Sequence, residues 1–314
     1  MSAPYANPHR TAAVLMLGST LAFAGMVLTI RFASHGIPVL QIAFFRNAFG
    51  MLALLPVLLW PAWRSGNLRA GLQRTVRTTQ LPRYALRCAI GLVSMFCGFW
   101  ALANLPLAQA VALSYSSPVF VTIGAVLLLG ETVRLRRWLA VLAGFVGVLV
   151  IVRPWSHSFS AGVLVAVAAA MLGALVAIQI KQLSQVDAAD TIVFWTYAFW
   201  VPLSLLPALA VWVWPQPATW LLLIACGVLG TAGQLLWTRA LKIGDVSALT
   251  PISFVQLPLV ALAGWWLFDE TVDRWTLLGA TIILAANAYI AHRETRLARH
   301  RATHAPSEAV EPGN

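Results

Sequence analysis

No aspartate or glutamate falls in the middle of any long apolar stretch of this 314-residue sequence. Charge is scarce altogether: 10% of residues are charged, against about 25% in an ordinary soluble chain. Period-two alternation is missing too, and with it the ten-residue strands of an outer-membrane barrel. The three cysteines, Cys88, Cys97 and Cys226, match no CxxC or zinc spacing and read as small core hydrophobes. His9, His35, His157, His292, His300 and His304 sit in loops, ends or tails, with no HExxH and no nucleophile-base spacing. These absences argue against a membrane enzyme, a metal site and a bound cofactor.

What is present is hydrocarbon. Hydrophobic residues make up 60% of the chain, and the mean hydropathy is +0.80. Apolar stretches near the ~20 residues that cross ~30 Å of bilayer as an α-helix recur ten times. They cover 11–30, 37–60, 84–103, 107–130, 137–152, 160–180, 191–214, 218–238, 245–268 and 275–292, the fifth being the shortest. The expected fold is an all-α integral membrane bundle. Ala22-Phe23-Ala24 resembles a signal-peptidase site, but apolarity runs on to Ile30 and nine more spans follow, so the first helix is expected to be retained.

A net charge of +11 would suggest nucleic acid in a soluble chain; here its distribution points instead to the bilayer. Of 21 Lys and Arg residues, sixteen fall on the side that holds both termini, only Arg31, Arg153 and Arg274 fall on the other, and Arg46 and Arg87 lie within spans. Both termini are therefore expected in the cytoplasm, with the basic end of the 294–314 tail on the anionic leaflet and the rest frayed.

The chain also repeats itself. "LLLGETVRLRRW" at 127–138 returns as "WLFDETVDRW" at 266–275 with most of its positive charge removed. Five spans per half is an odd number, so the second half would enter the membrane upside down. The first copy then ends inside, where arginine is favoured, and the second outside. "FFRNAF" (44–49) matches "FWTYAF" (194–199) and Arg31 falls on Lys181 at an offset of 150, while Gly91 matches Gly230 at an offset of 139. The expected organisation is a short segment 1–10, a repeat over 11–154, an inverted repeat over 155–293 and the tail 294–314.

Two five-helix halves, each ending its fourth helix in Gly130-Glu131 or Asp269-Glu270, with a Gly-rich helix after the first copy and Arg46 in helix two, resemble the EamA family of the drug/metabolite transporter superfamily. The resemblance covers residues 11 to about 293. It implies a secondary transporter of small organic metabolites in a bacterial inner membrane. Helices one to four and six to nine would surround a central cavity, with five and ten as supports. Family members range from metabolite exporters to importers of riboflavin or S-adenosylmethionine.

Transport needs polar groups in the bilayer, where a charge costs ~2.5–3.5 kcal/mol to insert. Arg46, well inside the second span, is the clear case, as an anion-pairing group, a structural donor to broken-helix carbonyls or a snorkelling side chain. "LSYSSP" (113–118) and "TPISFVQLP" (250–258) combine hydroxyls with proline, which frees a carbonyl and allows a kink. Tyr115, Ser116, Ser253 and Gln256 are therefore candidates for a midplane site, or for helix-helix glue. Trp100 on the third span, with Gln234 and Trp237 on the eighth, could add an aromatic, hydrogen-bonding wall, or face lipid. Trp60, Trp63, Trp138, Trp155, Trp212, Trp214, Trp220 and Trp275 read as interface anchors. Glu131 and Glu270, at helix ends, read as capping groups rather than proton carriers. The partners expected are one small organic metabolite and the bilayer.

Overall fold

A computed structural model describes residues 8–64, 77–129, 135–156, 160–183, 185–187, 189–243, 249 and 252–303. Among them no strand occurs, and eleven α-helices follow one another: α1 Pro8–Ala33, α2 Val39–Arg64, α3 Leu81–Asn104, α4 Leu107–Ser114, α5 Ser117–Leu129, α6 Leu135–Val152, α7 Gly162–Leu183, α8 Ala189–Ala210, α9 Pro217–Ile243, α10 Gln256–Phe268 and α11 Arg274–Thr303.

Seven stretches are long and apolar enough to cross a membrane, one of which runs through α4 and α5 from Leu107 to Leu127. Two shorter apolar helices, Trp138–Val152 and Gln256–Phe268, and the long α11 bring helix to all ten expected positions. Only a helix satisfies its own backbone donors and acceptors in hydrocarbon, which explains why the apolar stretches become helices whatever their intrinsic propensities. The chain beyond 293, expected as a tail, is still helical as far as Thr303. Gly130, Glu131, Thr250 and Pro251 lie outside the described residues.

Small residues let these helices approach closely, as lipid-embedded bundles require. A Cβ on Gly147 of α6 would stand 2.8 Å from the Gly279 carbonyl oxygen of α11. Gly147 meets Ile283 and Gly144 meets Ala286, so one index falls as the other rises and the two helices run antiparallel. The same holds for α1 against α9 and for α3 against α7.

Those contacts recur at the two sequence offsets. Gly230 of α9 packs on Met26 of α1, and Gly91 of α3 packs on Val176 of α7. Likewise Ser19 Oγ donates to the Gly233 carbonyl at 2.8 Å, and Ser94 Oγ donates to the Ala169 carbonyl at 2.9 Å. In both cases the second pair is the first moved by 150 on one helix and back by 139 on the other.

Candidate functional site

The fourth and ninth spans break at corresponding places, Tyr115-Ser116 and Phe254-Val255. In the first break the Ser116 N–H turns to the Leu113 carbonyl at 3.0 Å; in the second the Val255 N–H turns to the Ile252 carbonyl at 3.2 Å. Pro118 and Pro258 cannot donate, so each removes one i to i−4 bond, and the ladder resumes with Phe120 on Ser116 and Leu259 on Val255, at 3.4 and 3.3 Å. In the first break no main-chain N–H reaches the Tyr115 carbonyl.

Tyr115 joins the two breaks. Its hydroxyl donates to the Ser253 carbonyl at 2.6 Å and lies 3.3 Å from Gln256 Oε1. Its ring meets Phe254 edge to face, centroids 5.5 Å apart at 90°. Because the Tyr115 proton is committed to a carbonyl, what the hydroxyl offers a bound molecule is its lone pairs. Asn287 of α11 completes the cluster by donating Nδ2 to the Tyr115 carbonyl at 2.6 Å.

The other expected site residues are placed differently. Ser116 is fully buried, and its hydroxyl donates to the Leu113 carbonyl of its own helix at 2.6 Å. Trp100, 37% exposed, lies over Gly162 at the start of α7, and Trp237 is 41% exposed on α9. Gln234 precedes it on the same helix, its carbonyl accepting the Thr238 hydroxyl at 2.8 Å. The contacts seen thus join Tyr115, Ser253 and Gln256, with Phe254 and Asn287 as additions.

Arg46 occupies a second polar cluster between α2, α8 and α9. Its guanidinium carbon lies 5.8 Å from the ring centroids of both Tyr197 and Trp200, and Nη1 donates to Asn47 Oδ1 at 3.1 Å. Nε is buried without a partner. Tyr197 Oη and Thr231 Oγ1 stand 2.9 Å apart beside it, and Thr231 also donates to the Gly50 carbonyl. Gly230 leaves room for this arginine: a Cβ there would come 3.2 Å from Arg46 Nε.

A second in-span cation, Arg87, is not among the residues expected at the site. It is 5% exposed and donates to Thr196 Oγ1, the residue at the repeat position of Arg46. Trp200 stands between the arginines, its Nε1 donating to the Cys88 carbonyl at 3.0 Å while its face meets Arg46. The sequence did place Arg87 inside a span, and that was the available signal.

One end of the bundle is tied by Glu270. Its Oε1 accepts from Arg31 Nη2 at 2.6 Å, and its Oε2 accepts the Leu107 N–H at the start of α4 at 2.7 Å. Arg31 Nη1 reaches the carbonyls of Leu102, Ala103 and Leu105 beyond. This is the capping role read for Glu270: a carboxylate meets orphan donors at a helix N-terminus, and a guanidinium meets orphan acceptors at a C-terminus. Asp269, where the first copy has glycine, takes a left-handed φ of 53°, a conformation aspartate tolerates better than most residues. Nearby Arg153 pairs with Asp273 at 2.6 Å. Trp212 and Trp220, expected as anchors, pack on Phe45, at 5.5 and 5.1 Å between ring centroids.

Among the described residues no group of His, Cys, Asp or Glu could hold a metal ion. Among the described residues the arrangement holds aromatic faces, amides and hydroxyls near two helix breaks, with cations but no carboxylate in the middle of a span.

Residues 10–153 and 160–291 each match the EamA-like transporter family. A riboflavin transporter of Vibrio cholerae is 34% identical over 291 residues, covering 91% of this chain and 95% of that protein. An S-adenosylmethionine uptake transporter of Rickettsia bellii is 27% identical over 256 residues, covering 82% of this chain and 84% of its own length. A protein crystal structure at 20% identity aligns with a TM-score of 0.60 over 90% of this chain and 98% of that one, a likeness of fold.

Proposed function

The chain belongs to the EamA-like transporter family, a multi-pass membrane protein that moves a small organic metabolite, and on that premise we propose that its cargo is riboflavin, taken up across the bacterial inner membrane by alternating access. Full-length likeness to a riboflavin transporter is the observation that carries the cargo assignment. The chemistry of the breaks supports it. Riboflavin is a flat, neutral ring with a donor and acceptors along its pyrimidinedione edge and hydroxyls on its tail. Tyr115 and Phe254 offer aromatic faces, and Gln256 offers an amide with one donor side and one acceptor side. Arg46 offers charge-assisted donors to carbonyl or hydroxyl oxygens. Trp100, Gln234 and Trp237 would line the approach, and Ser253 and Ser116 would contribute through the shape of the breaks.

S-adenosylmethionine is the runner-up, and electrostatics disfavours it. It carries a sulfonium and an ammonium, and no Asp or Glu lies at mid-membrane in this sequence to meet them. The same absence removes a buried carboxylate as proton carrier and favours exchange or facilitated diffusion.

The two halves, 11–154 and 155–293, are read as inverted repeats with both termini in the cytoplasm. Two features support the inverted repeat: the recurrence of the Gly230–Met26 and Ser19–Gly233 contacts at Gly91–Val176 and Ser94–Ala169, and the antiparallel run of α6 and α11, which correspond at an offset of 139; the sixteen-to-three distribution of Lys and Arg supports the cytoplasmic termini. A riboflavin-auxotrophic bacterium tests the cargo. Expression of this chain should restore growth at low external riboflavin, and failure to do so at normal membrane abundance would count against it.

A further inference from the structure

Two prolines one residue out of register decide whether the carbonyls of Tyr115 and Phe254, which correspond, find a main-chain donor. At the offset of 139, Pro118 corresponds to Leu257, and Val119 corresponds to Pro258. Leu257 therefore has an N–H, and it donates to the Phe254 carbonyl at 3.1 Å. Pro118 has none, and the Val119 N–H is used on the Ser116 carbonyl at 3.0 Å. Nothing on the main chain of the first break serves the Tyr115 carbonyl.

Asn287 supplies the missing donor from another helix, at 2.6 Å and 4% exposure. Its repeat counterpart is Val148, which is buried and apolar. The amide belongs to the second half and reaches the break of the first half, where the peptide donor is lost; the corresponding position of the first half carries a hydrocarbon. Asn287 Oδ1 is buried without a partner, an unfavourable state that a leucine would avoid, so the residue is retained for what Nδ2 does.

We propose that Asn287 is a positioning residue of the cargo site: it replaces the N–H that Pro118 lacks and holds the first break so that Tyr115 reaches across to Ser253 and Gln256. This makes α11 a contributor to the site as well as a support. The proposal rests on the reading that Tyr115 faces the cargo.

The test has two arms. Infrared difference spectra of protein labelled with carbonyl-13C tyrosine compare the wild type with Asn287→Leu; one tyrosine carbonyl band should move to higher wavenumber in the variant. Riboflavin uptake should show KM raised about tenfold with turnover changed less than about twofold. A purely architectural amide would lower protein yield and melting temperature and leave KM alone. Pro118→Leu restores an N–H, so in that background Asn287→Leu should raise KM less than about twofold. If Pro118→Leu does not fold, Asn287→Gln, which keeps the amide, should recover part of both the band position and the KM.

An unmoved carbonyl band overturns the proposal, and so does a moved band with wild-type KM. If the wild type carries no riboflavin, the cargo assignment falls by itself. The band, read through the same double-mutant cycle, then still decides whether Asn287 serves the Tyr115 carbonyl in place of the N–H that Pro118 lacks: a band that Asn287→Leu moves as far in the Pro118→Leu background as in the wild type would overturn it.

Discussion

Tyr115 and Phe254 are 139 positions apart in the sequence and pack edge to face at 5.5 Å in the fold. On the reading of the two halves as inverted repeats, a residue touches its own counterpart only close to the axis relating the copies, and that axis would pass between the two helix breaks. Symmetry is broken there by one oxygen. The tyrosine hydroxyl serves the Ser253 carbonyl, and the phenylalanine has nothing to return.

Tyr115→Phe should therefore be costly despite making the two halves more alike. It removes the hydrogen bond from the Tyr115 hydroxyl to the Ser253 carbonyl, worth ~0.5–1.5 kcal/mol. Melting temperature should fall by a few degrees and the KM for cargo should rise; a variant with unchanged values of both would mean that the hydroxyl is idle.

Arg46→Ala should lower transport about tenfold or more at normal membrane abundance, since it removes charge-assisted hydrogen bonds from the pathway. Arg46→Lys should rescue only in part, because an ammonium lacks the planar fork that lies beside Tyr197 and Trp200. Loss of yield and melting temperature in Arg46→Ala, with turnover per folded molecule intact, would assign this arginine to structure instead.

The two ion pairs at the Glu270 end should differ in weight. Both partners of Arg31–Glu270 are largely sheltered, with side chains 17% and 14% exposed, whereas the Asp273 side chain of Arg153–Asp273 is 40% exposed. Arg31→Met strands Glu270 and three carbonyl contacts and should cost ~1–3 kcal/mol. Arg153→Met should cost about 1 kcal/mol or less. Thermal melting in detergent gives the order, and a larger loss for Arg153→Met would reverse the assignment of the tying pair.

Topology has its own test. Reporters fused after Arg301 should be active only when the reporter is one that works in the cytoplasm. Strong activity of a periplasmic reporter at that point would overturn the orientation and the inverted reading of the repeats.

Much of the architecture was legible because hydrocarbon leaves a chain few choices. Apolar length gave ten helix positions, and proline beside hydroxyls at 113–118 and 250–258 located both breaks. What stayed hidden depends on pairing across distance. Asn287 is one amide in "LLGATIILAANAYI", and its partner carbonyl lies 172 positions earlier. Arg87 meets Thr196 on another helix, and Ser116 turns its hydroxyl back onto Leu113. Trp212 and Trp220 meet Phe45 from another part of the chain. A period or a motif carries none of this.

The central claim is the cargo, and uptake into liposomes tests it most directly. Purified protein reconstituted in sealed vesicles should accumulate labelled riboflavin saturably, with excess unlabelled riboflavin competing and S-adenosylmethionine leaving the rate unchanged. Saturable uptake of S-adenosylmethionine without riboflavin transport would contradict the account.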